Sequence, residues 1–326
     1  MTANNAAWIT APLQRPFTVE EAPMPTAGPG EIVIKNHAVS AFPFILGEDA
    51  AGFVEEVGVD VSRFKKGDRV VAHCHGLMTK NPANSAFQSY PVATASLVST
   101  IPDFMTFEQA VVLPLAISTA CAGLYDKGLL NLPLPSTTNP ENIGKTILIW
   151  GGASSVGATA IQLATASGVT VITTASPANH EFVKRLGADA VFDYRSPTVV
   201  ERIASVLAET EFVGVYDAIG EDSSCDAVSA ILDRLNKNVP VASVLPSNKK
   251  TEIFAPVYVV AFSIIQEPNQ YIGEWIWGKF IPEALENGSF QAKPDPLVTG
   301  HGLKSIQEAL DVQRRGVSAK KIVVTL

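Results

Sequence analysis

The sequence predicts an α/β protein in which a small, irregular β-rich domain accompanies a doubly wound parallel sheet. Three observations carry this expectation. The first hundred residues read as short strands parted by turn signals, the chain from Thr146 onward alternates strands with helices, and the strand ending at Trp150 runs straight into a glycine and serine turn. A length of 326 residues fits roughly two domains of about 150 residues each.

In the β-rich part, strands are expected over 31–35, 52–57 and 69–73, with Gly28-Pro29-Gly30 and Lys66-Gly67-Asp68 as the turns between them. A Pro-, Ser-, Thr- and Asn-rich loop over 133–140 leads into the second part. There the expected strands are 146–150, 169–174, 190–192, 212–217 and 239–244, and the helices 156–166, 179–186, 199–208 and 224–235. Five strands at this rhythm make a doubly wound sheet. After Ala261 the rhythm breaks into an aromatic stretch over 271–280, two amphipathic helices and a last strand over 321–325. A lone final strand needs a sheet to join, so this tail is expected to return to the first domain. The domains are therefore drawn as 1–121 with 265–326, and 122–264.

The balance of 24 Lys and Arg against 32 Asp and Glu gives a formal charge of −8, with 47% apolar and 17% charged residues. That composition is globular, and an acidic chain with no basic run lacks the electrostatic footprint for nucleic acid or an anionic membrane surface. A mean hydropathy of +0.20 raises the question of a membrane span. The longest apolar candidate, 110–125, is 16 residues and interrupted by Pro114, Ser118 and Thr119, which reads as a buried helix. The N-terminus lacks the basic flank and apolar core of a signal peptide, so a cytoplasmic protein is expected. Cys74, Cys121 and Cys225 are odd in number and widely spaced, which indicates neither a disulfide framework nor a cysteine zinc site.

The most informative stretch is Trp150-Gly-Gly-Ala-Ser-Ser-Val-Gly157, a turn between a buried strand and a helix. A pyrophosphate requires close backbone approach and free N–H donors at a helix N-terminus. Gly151 and Gly152 permit the tight turn, Gly157 lets the helix lie close, and Ser154, Ser155 and Val156 complete a phosphate-binding segment. A plain strand-to-helix turn without ligand is the competing reading. Cofactor choice is set at the end of the next strand, where a carboxylate would accept from the ribose hydroxyls of NAD. Here the chain reads Thr173-Thr174-Ala175-Ser176, with Asn179, Lys184 and Arg185 nearby, so NADPH is the better fit. Ser176 and Asn179 serve equally as caps of the following helix. Tyr194-Arg195 has two readings: an adenine stack with a phosphate contact, or a buried Tyr beside an exposed Arg.

Together these residues resemble the medium-chain dehydrogenase/reductase superfamily in its zinc-free, quinone-oxidoreductase-like branch. The resemblance covers almost the whole chain and is carried by Gly28-Pro-Gly-Glu-Ile-Val33, Leu46-Gly-Glu-Asp-Ala-Ala-Gly-Phe-Val54, Phe64-Lys-Lys-Gly-Asp-Arg-Val70, Ala86-Phe-Gln-Ser-Tyr90 and Leu186-Gly-Ala-Asp189. The turn itself, Ser176-Pro-Ala-Asn179, Phe192-Asp-Tyr-Arg195 and Val317-Ser-Ala-Lys-Lys321 are similar to fungal enoyl reductases that act in trans with polyketide synthases. The resemblance implies a GroES-like catalytic domain and a Rossmann domain. It implies that Ser154 to Gly157 hold phosphate and that Ser176, Asn179 and Tyr194 meet the 2′-phosphate end. Leu245 would line the cofactor groove, and Val317 and Ser318 would lie on the nicotinamide side. Thr119 matches a family threonine at the nicotinamide and substrate mouth, although a threonine in a core helix also bonds its own backbone.

Zinc members carry Gly-His-Glu where this chain has Gly47-Glu48-Asp49, and a four-cysteine lobe where it has only Cys74. His73-Cys74-His75 offers two imidazoles on one strand face without evident third and fourth ligands, so no metal is expected. One departure stands out: between His37 and Phe42 the family has a longer segment with an Asn-Pro-x-Asp-like loop and, in the enoyl reductases, a lysine. Either the pocket is truncated or the sequence lacks a stretch. The expected function is hydride transfer from NADPH to an activated C=C of an enoyl or enone compound, or to a quinone, without zinc. The expected partners are a small-molecule substrate and a polyketide synthase acting in trans, with monomer or homodimer left open. The alternative is a catalytically impaired NADPH-binding partner of the same fold.

Overall fold

The computed structural model describes residues 3–8, 16–138 and 140–326 except 41–46, with the side chains of 37–40 also outside the description. Two compact units emerge, one of residues 1–115 and 277–326, the other of residues 116–276.

The first unit opens with the antiparallel pair β1 (Asn4–Trp8) and β2 (Thr18–Ala22). Its main sheet contains β3 (Glu31–Ser40), β4 (Asp49–Val57), β5 (Arg69–His73), β6 (Val92–Thr94) and β7 (Val98–Thr100). Single-turn helices α1 (Gly76–Thr79) and α2 (Phe107–Ala110) punctuate it. Alternation along β4 and β5 drives one face inward, where Ile32, Ile34, Val54, Phe64, Val70 and Val98 form a core cluster. The expected strands 31–35, 52–57 and 69–73 lie within β3, β4 and β5. The short passage between His37 and Phe42 runs from the end of β3 into residues outside the described set.

Helix α3 (Pro114–Tyr125) leads into the second unit. Together with α2 it forms the run Phe107–Tyr125, 19 residues long and apolar enough to cross a membrane. This corrects the expectation of a candidate too short to span. The run is 72% buried within the protein, as a core helix is.

The parallel sheet of the second unit is built from β8 (Lys145–Trp150), β9 (Thr170–Thr174), β10 (Ala190–Phe192), β11 (Glu211–Asp217), β12 (Val241–Ser243) and β13 (Pro256–Tyr258). The intervening helices are α4 (Ser155–Ala166), α5 (His180–Arg185), α6 (Val199–Ala208) and α7 (Asp222–Leu235). The strand order is β10-β9-β8-β11-β12-β13, the doubly wound order with its switch point between β8 and β11. The sheet thus has six strands where five were expected, the addition being β13 at the edge. Helix α8 (Gln270–Trp275) closes the unit.

Back in the first unit, α9 (Ile281–Glu286), β14 (Asp295–His301), α10 (Ile306–Arg315) and β15 (Lys320–Thr325) complete the chain. Strand β15 pairs antiparallel with β3 and parallel with β14, so the final strand does join the first sheet. An apolar cavity of about 260 Å³ lies in this unit, bounded by Ala6, Trp8, Ala22, Pro23, Pro82 and Phe87. None of the candidate site residues lines it.

Candidate functional site

The site of the second unit is built at the carboxyl ends of its parallel strands. β8 is buried along most of its length and delivers the chain to Gly151, whose φ of +84° only glycine adopts freely. The turn is held by two threonines of β9. Thr174 accepts from the Gly151 amide through its hydroxyl and from the Gly152 amide through its carbonyl, each at 2.9 Å. Thr173 donates its hydroxyl to the Ile149 carbonyl at 2.6 Å.

Ser154 is the N-cap of α4, its Oγ accepting the Gly157 amide at 3.0 Å. The first amides of a helix have no acceptor inside it, so those of Ser155 and Val156 remain for a ligand. A Cβ on Gly157 would fall 2.2 Å from the Gly151 carbonyl oxygen, so only glycine lets the helix start this close to the turn. The arrangement fits a pyrophosphate: a tight glycine turn and N–H donors at the start of a 12-residue helix.

The neighbouring strand ends carry the other candidates. After β9, Ser176 and Asn179 flank a short turn, and Asn179 Nδ2 donates to Ser176 Oγ at 3.2 Å. Both residues do stand at N-cap positions, Ser176 before the turn 177–179 and Asn179 before α5, as the cap reading expects, but neither side chain makes a capping bond there. After β10, Tyr194 is exposed, with the Arg195 guanidinium 4.7 Å above its ring, which removes the buried-Tyr reading. After β12, Leu245 is exposed and packs against Gly220, where a Cβ would approach it to 2.8 Å. The fold therefore gathers Gly151, Gly152, Ser154, Ser155, Val156, Gly157, Ser176, Asn179, Tyr194 and Leu245 along one edge of one sheet. Thr119 belongs to the same unit, buried on α3. Val317 and Ser318 belong to the first unit, in the turn between α10 and β15.

Asp217, the last residue of β11, went unnoticed in the sequence. Its carboxylate accepts from the amides of Ile219 and Gly220 at 3.0 and 2.9 Å and from the Ser224 hydroxyl at 2.6 Å, fixing the turn into α7. Burial raises its pKa, against those hydrogen bonds. A strand ending in Asp three residues before a glycine was the available signal, because such a carboxylate binds the amides that follow it.

The first unit holds a buried charge cluster at the start of β4. Asp49 Oδ2 lies 3.1 Å from Lys321 Nζ, and Oδ1 accepts the Leu115 amide at 2.7 Å. Burial, reinforced by Asp49 and opposed by Lys321, pushes Glu48 up to about 7. Burial, with His75 and Lys321 nearby, pushes His73 down to about 3, so its imidazole is neutral. Burial likewise raises the Cys74 thiol. Among the described residues no group of three or more His, Cys, Asp or Glu side chains is placed to hold a metal ion.

Comparison with known proteins places this geometry. The alcohol dehydrogenase GroES-like domain matches residues 28–115 and the zinc-binding dehydrogenase domain matches residues 155–266. The chain belongs to the medium-chain dehydrogenase/reductase superfamily, whose members bind nicotinamide nucleotides. More particularly, it is 43% identical to trans-enoyl reductase himH of Aspergillus japonicus over 288 residues, 87% of this chain and 82% of that one. It is 37% identical to dehydrogenase orsE of Emericella nidulans with both chains covered in full. That alignment runs over 361 residues, more than the 326 of this chain, so the relative carries stretches this chain lacks. The structure of a mycobacterial protein complexed with NADPH superposes with a TM-score of 0.66 at 23% identity, covering 95% of each chain, and shares the fold.

Proposed function

We propose that the protein is an NADPH-dependent, zinc-independent reductase of activated C=C bonds, acting on an enoyl or enone compound, with quinones as a second acceptor class. One observation carries the reading: the Gly151–Gly157 turn opens onto a strand end, at Ala175-Ser176, with no carboxylate to repel a 2′-phosphate. Ser176, Asn179 and Tyr194 then form the adenosine side, and Leu245 lines the groove. Val317 and Ser318 take the nicotinamide side.

A reduced nicotinamide held there would supply a hydride for the β-carbon of the alkene. The protein's part is alignment and stabilisation of the charge that develops on the acceptor's carbonyl oxygen. Thr119 is the hydroxyl donor to that oxygen. Water delivers the final proton to the α-carbon, so no side chain need act as general acid. Glu48 in place of the family's zinc-ligating histidine, with neutral His73 buried, supports chemistry without a Lewis acid. The substrate is a small molecule, and the likeness to himH supports a polyketide synthase as the partner that presents it. Relatives with reductase and dehydrogenase names do not favour the inert-subunit alternative.

The test is a panel of enones, enoyl thioesters and quinones with NADPH and NADH, followed by loss of the reduced-nucleotide absorbance, with zinc measured in the same sample. NADPH oxidation with at least one enone or enoyl thioester, at substoichiometric zinc, is expected. Inertness across the panel in a sample that binds NADPH would overturn the reading.

A further inference from the structure

We propose that Tyr216 is a positioning residue for Thr119, an inference that rests on the reductase reading above. The Tyr216 hydroxyl donates to the Thr119 carbonyl at 2.8 Å, and the side chain is fully buried. In a helix that carbonyl already serves the amide four residues on, at Gly123. Gly123 is also where the ring packs: a Cβ there would fall 2.4 Å from Tyr216 Cε2 and 3.1 Å from the Ala242 methyl. The sequence has thus removed a side chain from α3 to admit this phenol beside the turn that carries Thr119.

A phenylalanine would fill the same space without burying a polar oxygen, so the hydroxyl is a cost unless its hydrogen bond is made. Burial, with Cys121 and Asp217 adding to it, holds the phenol pKa well above its ordinary value, and it remains a neutral donor. Its base is rigid. Tyr216 pairs with Ile149 of β8 and Ala242 of β12, one residue before Asp217 closes the β11 turn. Further along α3, the Tyr125 hydroxyl donates to the Leu163 carbonyl of α4 at 3.2 Å, so the helix is tied both to β11, the strand paired with β8, and to the helix that follows the phosphate turn. Rotation of a helix by one residue moves a side chain through about 100°, and misplacement of about 1 Å can cost roughly a hundredfold in rate. Tyr216 fixes that rotation at Thr119.

The experiment compares Tyr216→Phe, Thr119→Val and the double variant with the wild type. Phe keeps the ring against Gly123, and thermal unfolding verifies that the variant is folded. Tyr216→Phe should lower kcat roughly tenfold while the NADPH dissociation constant, read by cofactor fluorescence, stays within about twofold. Amide exchange over 119–125 in the nucleotide-free protein should quicken. In the Thr119→Val background the Phe substitution should have no further effect on kcat, because a group acting through Thr119 has nothing left to position. An unchanged kcat in Tyr216→Phe, the same fold-loss in both backgrounds, or a parallel loss of NADPH affinity overturns the proposal. A wild type that binds NADPH and reduces nothing overturns the reductase reading and this proposal together. An active wild type with an unaffected Tyr216→Phe overturns the proposal alone.

Discussion

Glu48 is 8% exposed, next to Asp49, and its carboxyl is held at about 7 against an ordinary value of 4.5, with burial the largest cause. The folded state therefore grips this proton more tightly than the unfolded chain does. Its contribution is fully present below pH 4.5 and is lost as pH rises to about 7, because the charged form must then be buried. A shift of this size corresponds to something on the order of 3 kcal/mol. Glu48→Gln, which carries no titrating proton, should gain stability relative to the wild type as pH rises from 4.5 to 8 and be the more stable of the two at pH 8. Urea unfolding from pH 4.5 to 8 reads both, and an unaltered slope would refute the assignment. His73, held near 3 in the fold against 6.5 when unfolded, takes up a proton only in the unfolded chain over the lower part of this range, so it contributes a rise in stability up to about pH 6.5 that is common to both proteins and cancels in their difference.

At the scale of elements, the glycine turn and α4 form one unit, and Gly157 is the point where they meet. Gly157→Ala would place a methyl 2.2 Å from a backbone oxygen, which cannot rotate aside. Either the turn or the helix start must move, and on the proposed reading both supply the phosphate donors. NADPH binding should weaken at least tenfold, by about 1.4 kcal/mol or more, as followed by fluorescence titration. An affinity equal to wild type would mean that the nucleotide does not use this turn.

This element was legible in the sequence because glycines at a strand-to-helix crossing have few other uses. β10 and α6 were legible to the residue: α6 alternates buried and exposed positions at helical spacing, and β10 sits between the Gly187 turn and Asp193. Four strands, β13, β14, β1 and β2, show why others were not. β13 has three residues and starts with proline; β14, Asp295–His301, contains Pro296 and Gly300 and breaks register between Val298 and Gly300. β1 and β2 are rich in Asn, Ala and Glu, which strands disfavour. Within the site, Tyr216 and Asp217 were hidden as ordinary residues of a predicted strand, because their roles depend on partners that only the folded chain supplies.

For the molecule as a whole, the Asp49–Lys321 pair shows how the chain closes on itself. Lys321 enters on the last strand, Asp49 begins β4, and β3 lies between their strands, so the pair bridges across the sheet that completes the first unit. Both side chains are essentially removed from water, at 5% and 0% exposure. A buried pair of this kind contributes little net stability over an apolar replacement, but removing one partner strands the other charge. Lys321→Met should therefore lower stability by about 3–5 kcal/mol, since the buried Asp49 side chain would lose its cationic partner. Asp49→Asn in the same chain removes the Asp49 charge while its Oδ1 still accepts the Leu115 amide, and should restore stability to within about 2 kcal/mol of wild type. Urea midpoints of the two single variants and the double variant form the required cycle. If the two losses simply add, the charges are independent, and closure of the first unit rests on the β15 ladder and its apolar residues alone.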